Sequence, residues 1–199
     1  MEWTRVRTSS KQAAILAALL LASCRATYPS ENFEFDGAAL LGVRTQSGWE
    51  NSSVPLMRFD GSARPVSWPV ALQMSTTLSG YFGDNTGEQS IDLGLGVVRK
   101  FDIVPGTMSG SVGLGHLFIS TDNGELFTNE SDDWQANYIE GGLYFALGSA
   151  GEVSIGIEAR YSTGDGPSFG DQELDGDFLD LYLVVRIGPP APSPFPNPP

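Results

Sequence analysis

Residues 178–187 read FLDLYLVVRI. Leu179, Leu181, Leu183, Val185 and Ile187 share one side of an extended chain, and Asp180, Tyr182, Val184 and Arg186 share the other. A period of two belongs to a strand, because successive side chains of a strand point to opposite faces. One face is wholly apolar. The other carries an acid, a phenol and a guanidinium.

The same alternation recurs upstream. In 153–162, Val153, Ile155, Ile157, Ala159 and Tyr161 oppose Ser154, Gly156, Glu158, Arg160 and Ser162. In 137–147, Ile139, Leu143, Phe145 and Leu147 oppose Tyr138, Glu140 and Tyr144. Residues 91–101 set Ile91, Leu93, Leu95 and Val97 against Asp92, Gly94, Gly96 and Lys100. Residues 70–82 set Val70, Leu72, Met74, Thr76 and Leu78 against Gln73, Ser75, Thr77 and Ser79. Residues 34–46 set Phe35, Ala39, Leu41 and Val43 against Asp36 and Arg44, and a glycine-rich strand runs near 107–119. Residues 53–60 are extended but hold Pro55, which a strand interior tolerates poorly. Counting them as a strand makes the connections near 61–65, 102–106 and 148–151 short, and those at 120–134 and 163–177 long. Short turns at one end and long loops at the other are the habit of outer-membrane barrels, which use even strand numbers in single bacterial chains. The expected fold is an all-β, antiparallel, up-and-down transmembrane barrel of about eight strands over residues 33–188.

Alternation alone does not say which face is outside. A soluble barrel would fill its interior with the apolar face; a membrane barrel turns that face to lipid. The polar face here is rich in Gly and Ser with charges of both signs, unlike a soluble exterior. Glu140, Glu158, Arg160, Asp180 and Arg186 lie on three consecutive strands and can pair across a narrow lumen, as buried charges must. Aromatics fall near strand ends (Trp68, Phe82, Phe101, Phe118, Trp134, Tyr161 and Phe178), which is where interfacial girdles sit. An eight-stranded lumen is filled by side chains, so no general pore is expected.

The first 23 residues read as an export signal: Arg5, Arg7 and Lys11 precede an apolar core at 13–22, too short to span a bilayer as a helix. Leu21-Ala22-Ser23-Cys24 follows and resembles a bacterial lipobox, which makes Cys24 a candidate lipidation site; the alternative is an ordinary cut near Ala26. Residues 24–32 form a tether. Cys24 is the single cysteine, so no internal disulfide is available. Residues 1–23 hold three of the 11 basic residues and one of the 24 acidic ones, leaving 8 against 23, a formal charge of −15. So acidic a chain repels nucleic acid. Residues 189–199, PPAPSPFPNPP, cannot pair in a sheet and are expected as an extended or disordered tail.

The region 33–188 resembles the small bacterial outer-membrane β-barrel superfamily, of the OmpA-barrel or OmpW-like type. The stretches that carry the resemblance are GLGVVRKFDI (94–103), GSVGLGHLFIS (110–120), YIEGGLYFALG (138–148) and DFLDLYLVVRIG (177–188). It implies a monomeric barrel in the outer membrane of a Gram-negative cell envelope, surrounded by its lipid. Family members end on a terminal aromatic; here the last strand ends at Ile187-Gly188 before the proline tail.

Chemistry-bearing residues are few. His116 is the single histidine. Some small barrels deacylate lipid A with a His-x-Ser pair and an acid, but after His116 the next serine is Ser120, and Glu140 is expected in the lumen. No catalytic residue and no cofactor is assigned. The loops 120–134 and 163–177 carry acids and no Lys or Arg. Asp171, Glu173, Asp175 and Asp177 are candidate Ca2+ ligands, since carboxylates suit hard cations. Their spacing is not that of an EF-hand. Three function classes follow: a non-enzymatic outer-membrane barrel with a structural or surface-interaction role and acidic extracellular loops; a lipid-anchored, soluble, lipocalin-like periplasmic barrel holding an apolar ligand; and a lipid A-modifying enzyme.

Overall fold

The computed structural model describes residues 33–46, 53–80, 89–122, 131–147, 153–169, 172–173 and 176–188. The strands are β1 (Phe33–Gln46), β2 (Ser53–Pro65), β3 (Ala71–Ser79), β4 (Gln89–Val104), β5 (Met108–Asp122), β6 (Ser131–Leu147), β7 (Val153–Gly164), β8 (Ser168–Phe169), β9 (Gln172–Glu173) and β10 (Phe178–Ile187). Eight of them close a barrel in the order β1-β10-β7-β6-β5-β4-β3-β2, and β8 and β9 form a small separate hairpin. Every barrel pair is antiparallel. The fold is therefore the closed, eight-stranded, up-and-down barrel expected. Cys24, the leader, the tether and the proline tail lie outside the described residues.

The doubtful strand is real and longer than its pattern suggested. β2 pairs with β1 from Ser53 to Pro65, so residues 61–65 are strand and the turn moves to 66–70. Pro55 sits one residue beyond the last β2–β3 pair, Leu56↔Ser79. Its carbonyl still accepts from the Gly80 N–H over 3.1 Å, so proline sits at the rim where pairing toward β3 runs out, and its missing donor costs one rim bond at most.

The closure geometry follows from the register. Pairing leads once around the wall from Asp36 through Ser62, Gln73, Gly96, Gly115, Tyr138, Ser162 and Phe178 to Gln46. The path returns to β1 ten positions from its start (46 minus 36). With a rise of about 3.3 Å per residue and strands about 4.8 Å apart, that stagger tilts the strands by about 41°. Tilt lets an inward side chain of one strand meet partners from strands remote in sequence.

The wall is inside-out relative to a soluble barrel. Leu183 is 70 % exposed and Ile139 63 %, whereas Arg58, Arg160, Asp92 and Asp180 are fully buried. Along β10 the residues alternate buried and exposed without a break, with Phe178, Asp180, Tyr182, Val184 and Arg186 inward. The described interior mixes buried ion pairs with small apolar clusters, whereas a lipocalin-like barrel would turn its continuous apolar face inward. Two end aromatics are also corrected. Trp134 and Phe178 point inward, their rings 6.0 Å apart edge to face. The two-residue period that places Asp180 inside places Phe178 there too. They cap the lumen at the long-loop end rather than joining a girdle, while Phe118 and Tyr161 do face outward.

Glycine has a steric role in the wall at Gly96 and Gly115. A Cβ on Gly96 would come within 2.3 Å of the Tyr138 hydroxyl, and one on Gly115 within 2.6 Å. The Tyr138 side chain lies across both glycines, which no larger residue would allow.

Candidate functional site

The lumen holds three connected tiers of charge. Nearest the long loops, Arg44 of β1 meets Asp180 of β10 at 2.8 Å and Asp92 of β4 at 2.5 Å, and its guanidinium lies 3.9 Å from the Phe178 ring centre. Tyr182 donates its hydroxyl hydrogen to Asp180 over 2.8 Å. At mid-barrel, Arg58 of β2 gathers three carboxylates: Asp60 at 2.5 Å, Glu140 at 2.9 Å and Glu158 at 2.8 Å. Arg160 shares Glu140 at 2.9 Å and stacks 4.1 Å over Tyr138. Gln73 donates to Asp60 over 3.0 Å. Toward the short turns, Asp36 lies 2.6 Å from Lys100 and 3.6 Å from Arg186. The Tyr144 hydroxyl accepts from Arg186 and donates to Glu158, which ties this tier to the one above.

All five sequence-derived lumen residues are buried inside. Arg160 pairs with Glu140, and Arg186 lies 3.8 Å from Glu158, but Asp180 pairs with Arg44. Reasoning on three neighbouring strands missed Arg44, Arg58, Asp60, Asp92, Asp36 and Lys100. The signal was available in the same two-residue period: Arg58 and Asp60 share a face of β2, and Asp36 and Arg44 share one of β1. What the sequence lacks is the stagger that swings them together. Charges held this far from water are stable only because each is paired and hydrogen-bonded.

The acidic loop is only partly within view. Asp171 and Asp175 lie outside the described residues; Glu173 belongs to β9. Asp177 accepts a hydrogen bond from Tyr161 over 2.9 Å. Hydrogen bonds from Thr163 and Tyr161 hold its carboxyl below the ordinary aspartate value of 3.8. Among the described residues no cluster of three metal-ligating side chains occurs.

His116 faces outward, opposite Leu95 and Asn137. Its Nδ1 lies 3.1 Å from Asn137 Oδ1 and its Nε2 3.0 Å from Gln135 Oε1. Ser120 shares that outward face but is four residues away, about 13 Å along a strand. Glu140 lies on the other side of the wall. Histidine, serine and acid are not assembled as a triad.

An apolar wall around a lumen of buried ion pairs defines a small transmembrane-type β-barrel. No family model matches the chain, nor does any curated protein. Solved structures do. Neisserial surface protein A is similar over 78 % of this chain and 96 % of its own, with a TM-score of 0.60 at 12 % identity. The N-terminal β-barrel domain of Pseudomonas aeruginosa OprF is similar over 77 % of this chain and 96 % of its own, with a TM-score of 0.52 at 10 % identity. At such identities the likeness is one of fold.

Proposed function

We propose that this chain is a non-catalytic, monomeric outer-membrane barrel of a Gram-negative envelope, acting as a scaffold that presents acidic loops at the cell surface. The observation that carries it is the inverted wall: apolar side chains up to 70 % exposed outside, with fully buried ion pairs inside. Such a distribution is stable only in lipid. The long loops, which hold acids and no Lys or Arg, then lie at one rim and suit cationic partners or divalent ions rather than polyanions. The non-catalytic reading is supported by the separation of His116, Ser120 and Glu140.

Outer-membrane fractionation and heat-modifiable gel migration test the location; a stable monomer without detergent would sink it. Calorimetry with Ca2+ tests Asp171, Glu173, Asp175 and Asp177; heat equal to buffer alone removes them as a site. Mass spectrometry of the mature N-terminus tests Cys24, where a diacylglyceryl thioether is expected and a free amine at Thr27 refutes it.

A further inference from the structure

Polar side chains on a lipid-facing wall are costly and need a reason. The outward row of β6 runs Gln135, Asn137, Ile139, Gly141, Leu143, from the long-loop end toward mid-barrel. Its first two members form, with His116, an exposed hydrogen-bonded cluster above the apolar belt. Both imidazole nitrogens are engaged, so the ring braces two amides. A neutral imidazole donates from one nitrogen and accepts at the other, so the ring engages the oxygen of one amide and the NH2 of the other, which leaves one amide NH2 and one amide oxygen for another partner.

Four residues further along the same row, about 13 Å away, the wall is indented. A groove of about 720 Å³ is lined by Gly141, Leu143, Ile157, Ala159, Leu181 and Leu183, among others. Gly141 and Ala159 are register partners and form its floor. The barrel does not demand glycine at position 141, because a Cβ there would meet nothing nearer than the Ser111 carbonyl oxygen at 3.7 Å. The hollow is therefore not a by-product of closure, and its volume lies in the range of ligand pockets.

We infer that this side of the barrel holds one glycolipid of the surrounding leaflet, its head on His116, Gln135 and Asn137 and its acyl chains in the Gly141–Ala159 groove. The amides offer donors and acceptors matched to sugar hydroxyls and amide-linked chains. The described outward face at this end carries no Lys or Arg, and Asp133 lies above it, so a phosphate is not the group recognised. The inference rests on the membrane reading above.

The test uses the full-length protein in phosphatidylcholine nanodiscs. Dephosphorylated lipid A or phosphatidylglycerol is added, and retained lipid is counted by native mass spectrometry. One molecule of dephosphorylated lipid A is expected to stay bound, with phosphatidylglycerol retained about tenfold less. H116L/N137L removes two hydrogen-bonding groups and should weaken retention about thirtyfold, at roughly 1 kcal/mol for each bond. Gly141→Leu fills the groove and should do the same while leaving heat-modifiable migration unchanged. Equal retention of the two lipids, or full retention by Gly141→Leu, overturns the inference and leaves the membrane reading intact. Failure of the parent to enter nanodiscs overturns both.

Discussion

Arg58→Ala tests the lumen most directly. Arg58 has no exposed surface and touches Asp60, Glu140 and Glu158 within 2.5–2.9 Å. Its loss leaves Asp60 with only Gln73 at hydrogen-bond distance, Glu140 with Arg160, and Glu158 with Tyr144 and the more distant Arg186. Stranding a buried charge costs about 3–5 kcal/mol, a 10²–10⁴-fold fall in the ratio of folded to unfolded protein. Urea unfolding in phospholipid vesicles, followed by tryptophan fluorescence and gel migration, measures it. Arg58→Lys should fall between parent and alanine, because an ammonium keeps the charge but cannot present the guanidinium fork. Arg64→Ala is the internal control. Arg64 pairs with Glu34 at the short-turn rim, with the two side chains 14 % and 34 % exposed, so its loss should cost under about 1 kcal/mol. If Arg58→Ala unfolds within about 1 kcal/mol of the parent at an unchanged urea slope, the tiers are not the dry, mutually dependent network described.

Three further outcomes follow from other parts of the wall. Leu183→Arg places a charge at the most exposed apolar position among the described residues, half-way along β10, and should cost about 2–4 kcal/mol in vesicles; a neutral result would remove it from the lipid. Gly115→Ala forces a Cβ to within 2.4 Å of the Leu95 carbonyl oxygen and should destabilise by about 1–3 kcal/mol in the same assay, which unaltered unfolding would contradict. Asp177 ionises at lower pH when folded than its ordinary 3.8, so the anchorage of loop 165–177 is complete above that value and fades as the pH falls through the lower folded one. Acid-protease cleavage of the loop should rise over that window, and Asp177→Asn should abolish the dependence; a parent profile as flat as the variant's would count against it.

Strand identity was legible in the sequence because lipid and lumen impose opposite demands on alternate residues. Leu179 through Ile187 and Ile155 through Tyr161 could not have been assigned otherwise. β2 was harder, since Pro55 is informative only once its rim position is known. The glycine run at 110–115 blurred the phase of β5, which is why the outward aim of His116 came only from the structure. Trp134 and Phe178 were misread because nearness to a strand end outweighed parity, although parity alone would have placed both inside. The lumen pairs were half legible. Which residues face inward follows from the period, but Arg44 with Asp92, or Arg58 with Glu140, requires the ten-residue stagger. That stagger belongs to the closed barrel and to no single segment.

The contact between Arg44 and Asp180 spans the seam where the first and last strands of the barrel join. A strand can slip along its neighbour by two residues without turning any side chain to the wrong side. Here such a slip would set Asp180 against Gly42 or Gln46, and Arg44 against Phe178 or Tyr182, stranding the Asp180 carboxylate in the interior and leaving Arg44 with Asp92 alone. The salt bridge therefore works as a proofreading device. It rewards a single closing register at the step where the chain's two ends first meet, and it makes a misaligned barrel pay in unpaired charge before it can be sealed.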